Sequence, residues 1–492
     1  MKKYIDWLKK NKITEVECMI PDNSGIPRGK ILPTSKFLNA VSNNGLRLPL
    51  GLFKMSVSRS VSYSIDDQLL NPTDGDFILK PDFTTLRKVP WYTEPTAQII
   101  CDAVDSKGVE IEVYSRGILK RVLNLYKKKG LQPIVAPEIE FYLVKKNNDP
   151  DIPLESPAGL SGRVEKGNQS YGIDAVNDFD HIIEDLYDYC EAQNLDAETI
   201  NHEEGPAQME INFKHGDPLE LADQVFLFKR TLRQAALKHN LFATFMAKPM
   251  QNAPGNSMHI HQSILDKKGK SVFADANLKP SKIFNNYVGG LQKFTKLLMP
   301  LIAPNVNSYK RLMGYFEEGT PFNLNWGFEN RTCGFRIPSY SVASQLRIEN
   351  RLPGSDVNPY LAIAATLTAG LLGINHKIEP TAETKKNAYN VNLSLPESMT
   401  IALDLFSRSK EIKEIYGDVF VELFRAIKEL EVGEYNKIVT AWEREYLLIN
   451  VWFVSDLYVV SNCNRDNYQH NHSRKSIHFR TKSQSHFWKN NN

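Results

Sequence analysis

Cysteine is scarce in this chain: five residues in 492 (Cys18, Cys101, Cys190, Cys333 and Cys463), far apart, with no CxxC. So sparse and odd a set excludes a disulfide framework and a thiolate zinc site, and fits a reducing compartment. No stretch approaches the ~18 consecutive apolar residues of a membrane span. The N-terminus, MKKYIDWLKKNKITEVECMI, lacks the apolar core of a signal peptide and reads as a short amphipathic helix followed by a strand. A cytoplasmic protein is expected. Also missing are an internal repeat, a G-x-x-x-x-G-K-[ST] loop and a G-x-G-x-x-G fingerprint. Excess charge of either sign is small: 60 basic against 57 acidic residues leave +3, which gives no sign of a nucleic acid or a membrane surface as partner.

What is present is an ordinary globular composition, 42% hydrophobic and 24% charged, long enough for two or more domains. The small positive charge is local. Six basic residues against Asp466 between Ser461 and Asn492 give that stretch +5, leaving 54 basic and 56 acidic residues before it. This tail, rich in Asn and His and poor in aliphatic residues, reads as disordered from residue 452 on. Residues 1–105 read as a small α/β unit with strands at 15–20 and 97–104. A larger unit over 106–451 follows, with helices expected at 114–129 (ended by Gly130), 179–193, 219–239 and 358–374.

The chemical signal lies in four segments that alternate polar and apolar residues with period two. In PEIEF (137–141) a strand points Glu138 and Glu140 the same way while Ile139 and Phe141 face a core. QMEINF (208–213) aligns Gln208, Glu210 and Asn212; MHIHQS (258–263) aligns His259, His261 and Ser263; LRIENR (346–351) aligns Arg347, Glu349 and Arg351. One such segment is explained by a solvated sheet face. Four that carry Glu, His and Arg in place of Lys, Thr and Ser point to a shared site. Converging on one sheet, Glu138, Glu140, Glu203, Glu210, Glu349 and His259 form an oxygen-dominated donor set suited to Mg²⁺ or Mn²⁺, two or more per site. Arg311, Arg331, Arg336, Arg347 and Arg351 then face a strongly anionic substrate. Metal-assisted phosphoryl transfer follows, with any nucleotide held by sheet residues and metals.

These segments, with EEGPAQMEIN (203–212), ATFMAKPM (243–250), GNSMHIHQS (255–263), APNVNSYKRL (303–312), NRTCGFRIP (330–338) and RIENRLPGSDVNPYLAIAA (347–365), resemble the glutamine synthetase family from about residue 4 to 451. The resemblance implies an α+β fold: a small N-terminal β-grasp-like domain, and a large catalytic α/β domain with a curved antiparallel sheet. It implies a homo-oligomeric ring with active sites between subunits. The implied activity is ATP-dependent joining of glutamate to an amine through a γ-glutamyl phosphate. Carried over by motif, Glu140, Glu203 and Glu210 would bind the metal near glutamate and amine, and Glu138, His259 and Glu349 the metal bridging the ATP phosphates. Gly255 would contact glutamate through its backbone. Arg311, Arg331 and Arg351 would hold glutamate and the transferred phosphoryl group, while Arg336, Arg347, His261 and Ser263 would face ATP.

Three departures surround the amine and glutamate pockets. Residues 48–58 (LPLGLFKMSVS) contain no acid where ammonia-using members carry an Asp-Gly-Ser-Ser-like loop. The flap, YFEEGTP at 315–321, is two residues longer than usual, and Pro254 stands where those members have Asn. With YGIDAVN at 171–177, the pattern resembles the γ-glutamylpolyamine synthetase branch, whose acceptor is an organic amine such as putrescine. Asp66, Asp67, Glu317 and Glu318 are candidates for the missing acid. The alternatives are an ammonia-using glutamine synthetase and a catalytically inactive scaffold; the latter would be expected to have lost some of the six metal-ligand candidates.

Overall fold

The computed structural model describes residues 1–60, 75–312, 320–389 and 395–450. The tail expected from 452, Asp66, Asp67, Glu317 and Glu318 lie outside them. Residues Met1–Lys437 form one compact unit. In the second unit, from Ile438, the described part contains one short helix, Ala441–Leu447, started by a capping box between Thr440 and Glu443. No helix among the described residues is long and apolar enough to cross a membrane.

Two sheets organise the first unit. The N-terminal sheet contains β1 (Glu15–Pro21), β2 (Pro27–Pro33), β3 (Arg47–Pro49), β4 (Asp76–Pro81), β5 (Arg87–Val89) and β6 (Thr96–Val104), in the order β2-β1-β6-β4-β3, with β5 also on β6. β2 takes the edge, as its two terminal prolines require. The large sheet contains β7 (Leu131–Lys145), β8 (Ala197–His202), β9 (Gln208–Phe213), β10 (Leu241–Thr244), β11 (Met258–Asp266), β12 (Trp326–Phe328), β13 (Phe335–Ile337) and β14 (Ile348–Asn350). Its order is β12-β13-β14-β11-β7-β9-β8, with β10 also on β7. All these pairs are antiparallel except β12 with β13, which is parallel, a departure from the all-antiparallel expectation.

The four expected helices are present as Ser115–Lys128, Asp180–Gln193, Pro218–Lys238 and Pro359–His376, each within two residues of its expected ends. A further long helix, Lys282–Ile302, packs along Pro359–His376. Glycines bring their backbones together: a Cβ on Gly290 would lie 2.3 Å from the Ala369 carbonyl oxygen, and one on Gly373 would lie 2.1 Å from that of Asn286.

The N-terminal sheet is tied to the helical layer by a buried cation. Arg116, 1% exposed, donates Nε and Nη2 to Asp223 (2.9 and 2.8 Å), Nη1 to Asp102 (2.6 Å) and Nη2 to Asp82 (2.7 Å). Tyr360 Oη completes the Asp223 shell at 2.7 Å. Near the same boundary Arg230 grips Glu17 of β1, and Asn358 Nδ2 donates to the Asp22 carbonyl at 3.0 Å. Arg116→Met would strand buried Asp223 without its cation, at a cost of about 3–5 kcal/mol. A clear drop in the denaturation midpoint is expected, and an unchanged midpoint would show that the buried cluster does not stabilise the fold.

Candidate active site

Cross-strand register places the alternating polar residues on one sheet face. Glu138 lies opposite Asn212 of β9 on one side and His259 of β11 on the other; Glu140 lies opposite Glu210. His261 faces Glu349, and Glu349 faces Arg336. Ile139 and Phe141, on the other face of β7, are buried in the core. Around this sheet, Glu203 follows β8, Gly255 precedes β11, and Arg347 and Arg351 flank β14. Arg311 ends the helix Val306–Leu312, and Arg331 sits exposed in the turn between β12 and β13.

Two groups of side chains converge closely enough to share an ion. Glu138, Glu210 and His259 each present a ligand atom within 4.8 Å of the others, and so do Glu138, His261 and Glu349. Glu138 thus belongs to both clusters. Glu140 turns to the Ser257 amide (2.6 Å), and Glu203 accepts from Asn201 (3.0 Å).

Electrostatics divides the face in two. Glu349 accepts from Arg351 Nη1 (2.6 Å) and Arg336 Nη1 (2.7 Å). Burial opposes its ionisation, but Arg351 and the histidines outweigh it and hold its carboxyl at about 2. Burial likewise opposes Glu138, and bonds to His259 and His261 carry it well below the usual range. His261 Nε2 lies 2.9 Å from Glu138 Oε1, and its Nδ1 accepts from Arg347 Nε at 3.2 Å, so the ring proton sits on Nε2. His259, driven toward its neutral form by burial and by Arg351, stands 3.5 Å from Glu138 and 3.7 Å from Glu349, as a ligating imidazole must.

The other half has no such balance. Burial and Glu203 push Glu140 up to about 8. Burial, then Glu138, Glu140 and Glu203, pushes Glu210 well above its normal value, and burial raises Glu203. Crowded, half-neutralised carboxylates beside a neutral imidazole fit a hard divalent cation, whose charge would remove the repulsion. Buried Arg311 Nε and Arg336 Nε have no hydrogen-bond partner among the described residues, which leaves donors for an anion.

Ser263, expected at the nucleotide, donates its hydroxyl to the Leu346 carbonyl at 3.2 Å and fixes the entry to β14. Sequence reasoning missed Ser257 and Ser355, which bind Glu140: both lie inside quoted motifs, but outside the alternating runs that singled out the other residues. The acid-free 48–58 segment forms β3 and the 3₁₀ turn Leu50–Lys54. Its end receives carboxylates from elsewhere: Glu431 Oε1 accepts from the Val57 amide (2.8 Å) and Glu434 Oε2 from Ser58 Oγ (2.5 Å). Most of the flap lies outside the described residues. A cavity of about 1040 Å³ lies elsewhere, since none of the six metal-ligand candidates lines it.

Residues 112–447 match the family described as glutamine synthetase, catalytic domain. Glutamate–isopropylamine ligase of a Pseudomonas species is 32% identical over 445 residues, covering 89% of this chain and 95% of that one. Glutamine synthetase of Pyrococcus horikoshii is 32% identical, over 88% of this chain and 95% of that one. The γ-glutamylputrescine synthetase PuuA of Escherichia coli is 31% identical over 88% of this chain and 92% of that one. A solved GmaS/ADP complex superposes with a TM-score of 0.78 at 26% identity, over 91% of this chain and all of that one. The chain belongs to the glutamine synthetase family, and it is an enzyme of the C–N bond-forming ligase class whose members use ATP and divalent metal ions.

The raised carboxyls give the site a proton inventory. At neutral pH Glu140 retains a proton that an arriving cation must displace, so Mn²⁺ affinity should rise between about pH 6 and about pH 8 with protons released on binding. Titration calorimetry in buffers of different ionisation enthalpy reads that release; a pH-independent affinity would refute the assignment.

Proposed function

We propose that this enzyme joins the γ-carboxylate of glutamate to a small organic amine at the expense of ATP. The observation that carries the reading is an asymmetry. The metal and phosphate candidates are all present in the sequence, and Glu138, Glu210, His259, His261 and Glu349 come within reach of a shared ion, while the 48–58 segment contains no acid where ammonia-using members carry one. Relatives named for isopropylamine and putrescine support an organic acceptor. Glutamine synthetases of similar identity keep ammonia as the competing reading.

In the first step a glutamate γ-carboxylate oxygen attacks the terminal phosphorus of ATP, and ADP departs with the bond electrons. In the second the amine nitrogen attacks the acyl carbon, phosphate leaves, and the ammonium proton passes to a base. Bound at Glu138, Glu140, Glu203, Glu210, His259 and Glu349, divalent ions would supply charge neutralisation on the phosphates. Arg311, Arg331 and Arg351 would orient glutamate and stabilise charge on the transferring group, with Gly255 offering its backbone. Arg336 and Arg347, with His261 and Ser263 at their side, would line the ATP side; His261 keeps Arg347 and Glu138 in register through its two ring nitrogens. A base for the amine belongs to the same reading, and Glu434, held against Ser58, brings a carboxylate to the segment that lacks one. A homo-oligomeric ring with shared sites is the assembly this reading carries.

Two measurements test it. Coupled ADP release with glutamate should give kcat/KM for ethylamine or putrescine at least about tenfold above that for ammonium; equal or better turnover with ammonium would sink the organic-amine reading. Glu140→Gln should cut turnover by at least about a hundredfold while the protein stays folded, and wild-type turnover would remove Glu140 from the metal set.

A further inference from the structure

The helix Pro218–Lys238 carries a buried cation whose hydrogen bonds go to main-chain carbonyls. Lys229 is 9% exposed and forms no ion pair among the described residues. Its Nζ donates to the main-chain carbonyls of Ser355 at 2.6 Å and Val357 at 2.7 Å, with the Phe245 ring centroid 5.4 Å away. Burial, with Arg233 nearby, pushes its ammonium down to about 7 against the opposing attraction of Asp356. Methionine has similar length and would pack in such surroundings without the desolvation cost. An ammonium is worth that cost only for what it binds, and here it binds a loop.

That loop, 353–358, backs the metal-binding face. Ser355 Oγ lies 2.6 Å from both the Glu140 and Ser257 carbonyl oxygens, and the Ser355 amide donates to Asn256 O at 3.1 Å. Ser257 gives its amide to Glu140 Oε2 and accepts Arg311 Nη1 at 3.1 Å on its hydroxyl. Arg311 Nη2 also binds the Leu352 carbonyl, just ahead of the loop. Asp356 anchors the middle of the loop through Asn305 (2.7 Å) and Ser308 (2.6 Å). The carbonyls held by Lys229 therefore bracket Asp356 and include that of Ser355, the residue that touches Glu140's own backbone.

We propose that Lys229 is a positioning residue for the metal site: by clamping the Ser355 and Val357 carbonyls it sets the 353–358 loop, and through Ser355 and Ser257 it fixes the carboxylate of Glu140 and the guanidinium of Arg311. The inference rests on the assignment of Glu140 to a bound cation.

The test is Mn²⁺ affinity measured without nucleotide, so that no turnover intrudes. Lys229→Met should weaken it at least about tenfold, the scale seen when groups that orient metal ligands are lost. Tyr126→Phe is the control: it also strips the donor from a buried carbonyl, that of Leu367 (2.7 Å) on the helix beyond this loop, and should leave Mn²⁺ affinity within about twofold of wild type. Lys229 also lines the cavity of about 1040 Å³, so a small cation has room to enter. Lys229→Ala should regain Mn²⁺ affinity as ethylammonium is added, while wild type and Lys229→Met, which keep the space filled, should not respond. If Lys229→Met does not fold, Lys229→Gln, which keeps one donor, should fall between wild type and Lys229→Ala. Wild-type affinity in the Lys229 variants, or an equal loss in Tyr126→Phe, overturns the role. If Glu140→Gln loses Mn²⁺ while the Lys229 variants do not, the positioning role alone falls; if Glu140→Gln also binds normally, the metal assignment beneath it falls too.

Discussion

Carboxylate crowding on one face of the large sheet is the constraint around which the rest is arranged. Glu138, Glu140, Glu203 and Glu210 stand close enough to disturb one another's ionisation, and antiparallel register across β7, β9 and β11 keeps three of them there, with Glu203 just past the end of β8. Repulsion of this kind would spread a flexible loop. Strands cannot yield, because their other face is locked in a core that includes Ile139, Phe141, Met209, Ile211 and Ile260. The hydrophobic effect on one face thus supplies the force that holds like charges together on the other. The same sheet separates two electrostatic tasks: around Glu349 protein cations already balance the carboxylate, while around Glu140 and Glu210 the balance is left to an incoming ion.

Polar interactions do comparable work at the boundary between the two sheets. Arg116 gathers Asp82 and Asp102 from the N-terminal sheet and Asp223 from the helical layer. Such a cluster stabilises only when every member is present, which makes the relative placement of the two sheets cooperative.

Much of the site was legible in the sequence because period-two alternation survives folding. The pattern in β7, β9, β11 and β14 assigned Glu138, Glu140, Glu210, His259 and Glu349 to a common face without knowledge of strand order. Other elements were illegible for physical reasons. β2 carries Pro27, Gly29 and Pro33, which weaken any strand signal, yet at an edge they are tolerated, and a Cβ at position 29 would fall 1.8 Å from the Cys18 carbonyl. Lys282–Ile302 contains Gly289, Gly290 and Pro300, poor helix formers overridden by packing. The 353–358 loop holds Glu140 through main-chain and hydroxyl contacts from distant positions, and composition encodes nothing of that. His261, placed near the nucleotide by motif, also bonds Arg347 and Glu138 through its two ring nitrogens, a pairing that alternation alone does not show.

The glycine seam between Lys282–Ile302 and Pro359–His376 has a consequence for how change can accumulate in this chain. Where Gly290 meets Gly373 the contact is main chain to main chain, so forming it freezes no rotamers, whereas Gly370 makes room for the Tyr287 ring. Asn358, which caps the second helix and ends the 353–358 loop, inherits that spacing. Apolar residues away from this crossing can change with less effect on the helix spacing than a change at Gly290 or Gly373, so the point where the loop joins the helix stays in one place. The seam uncouples the tolerance of the core from the precision of the site.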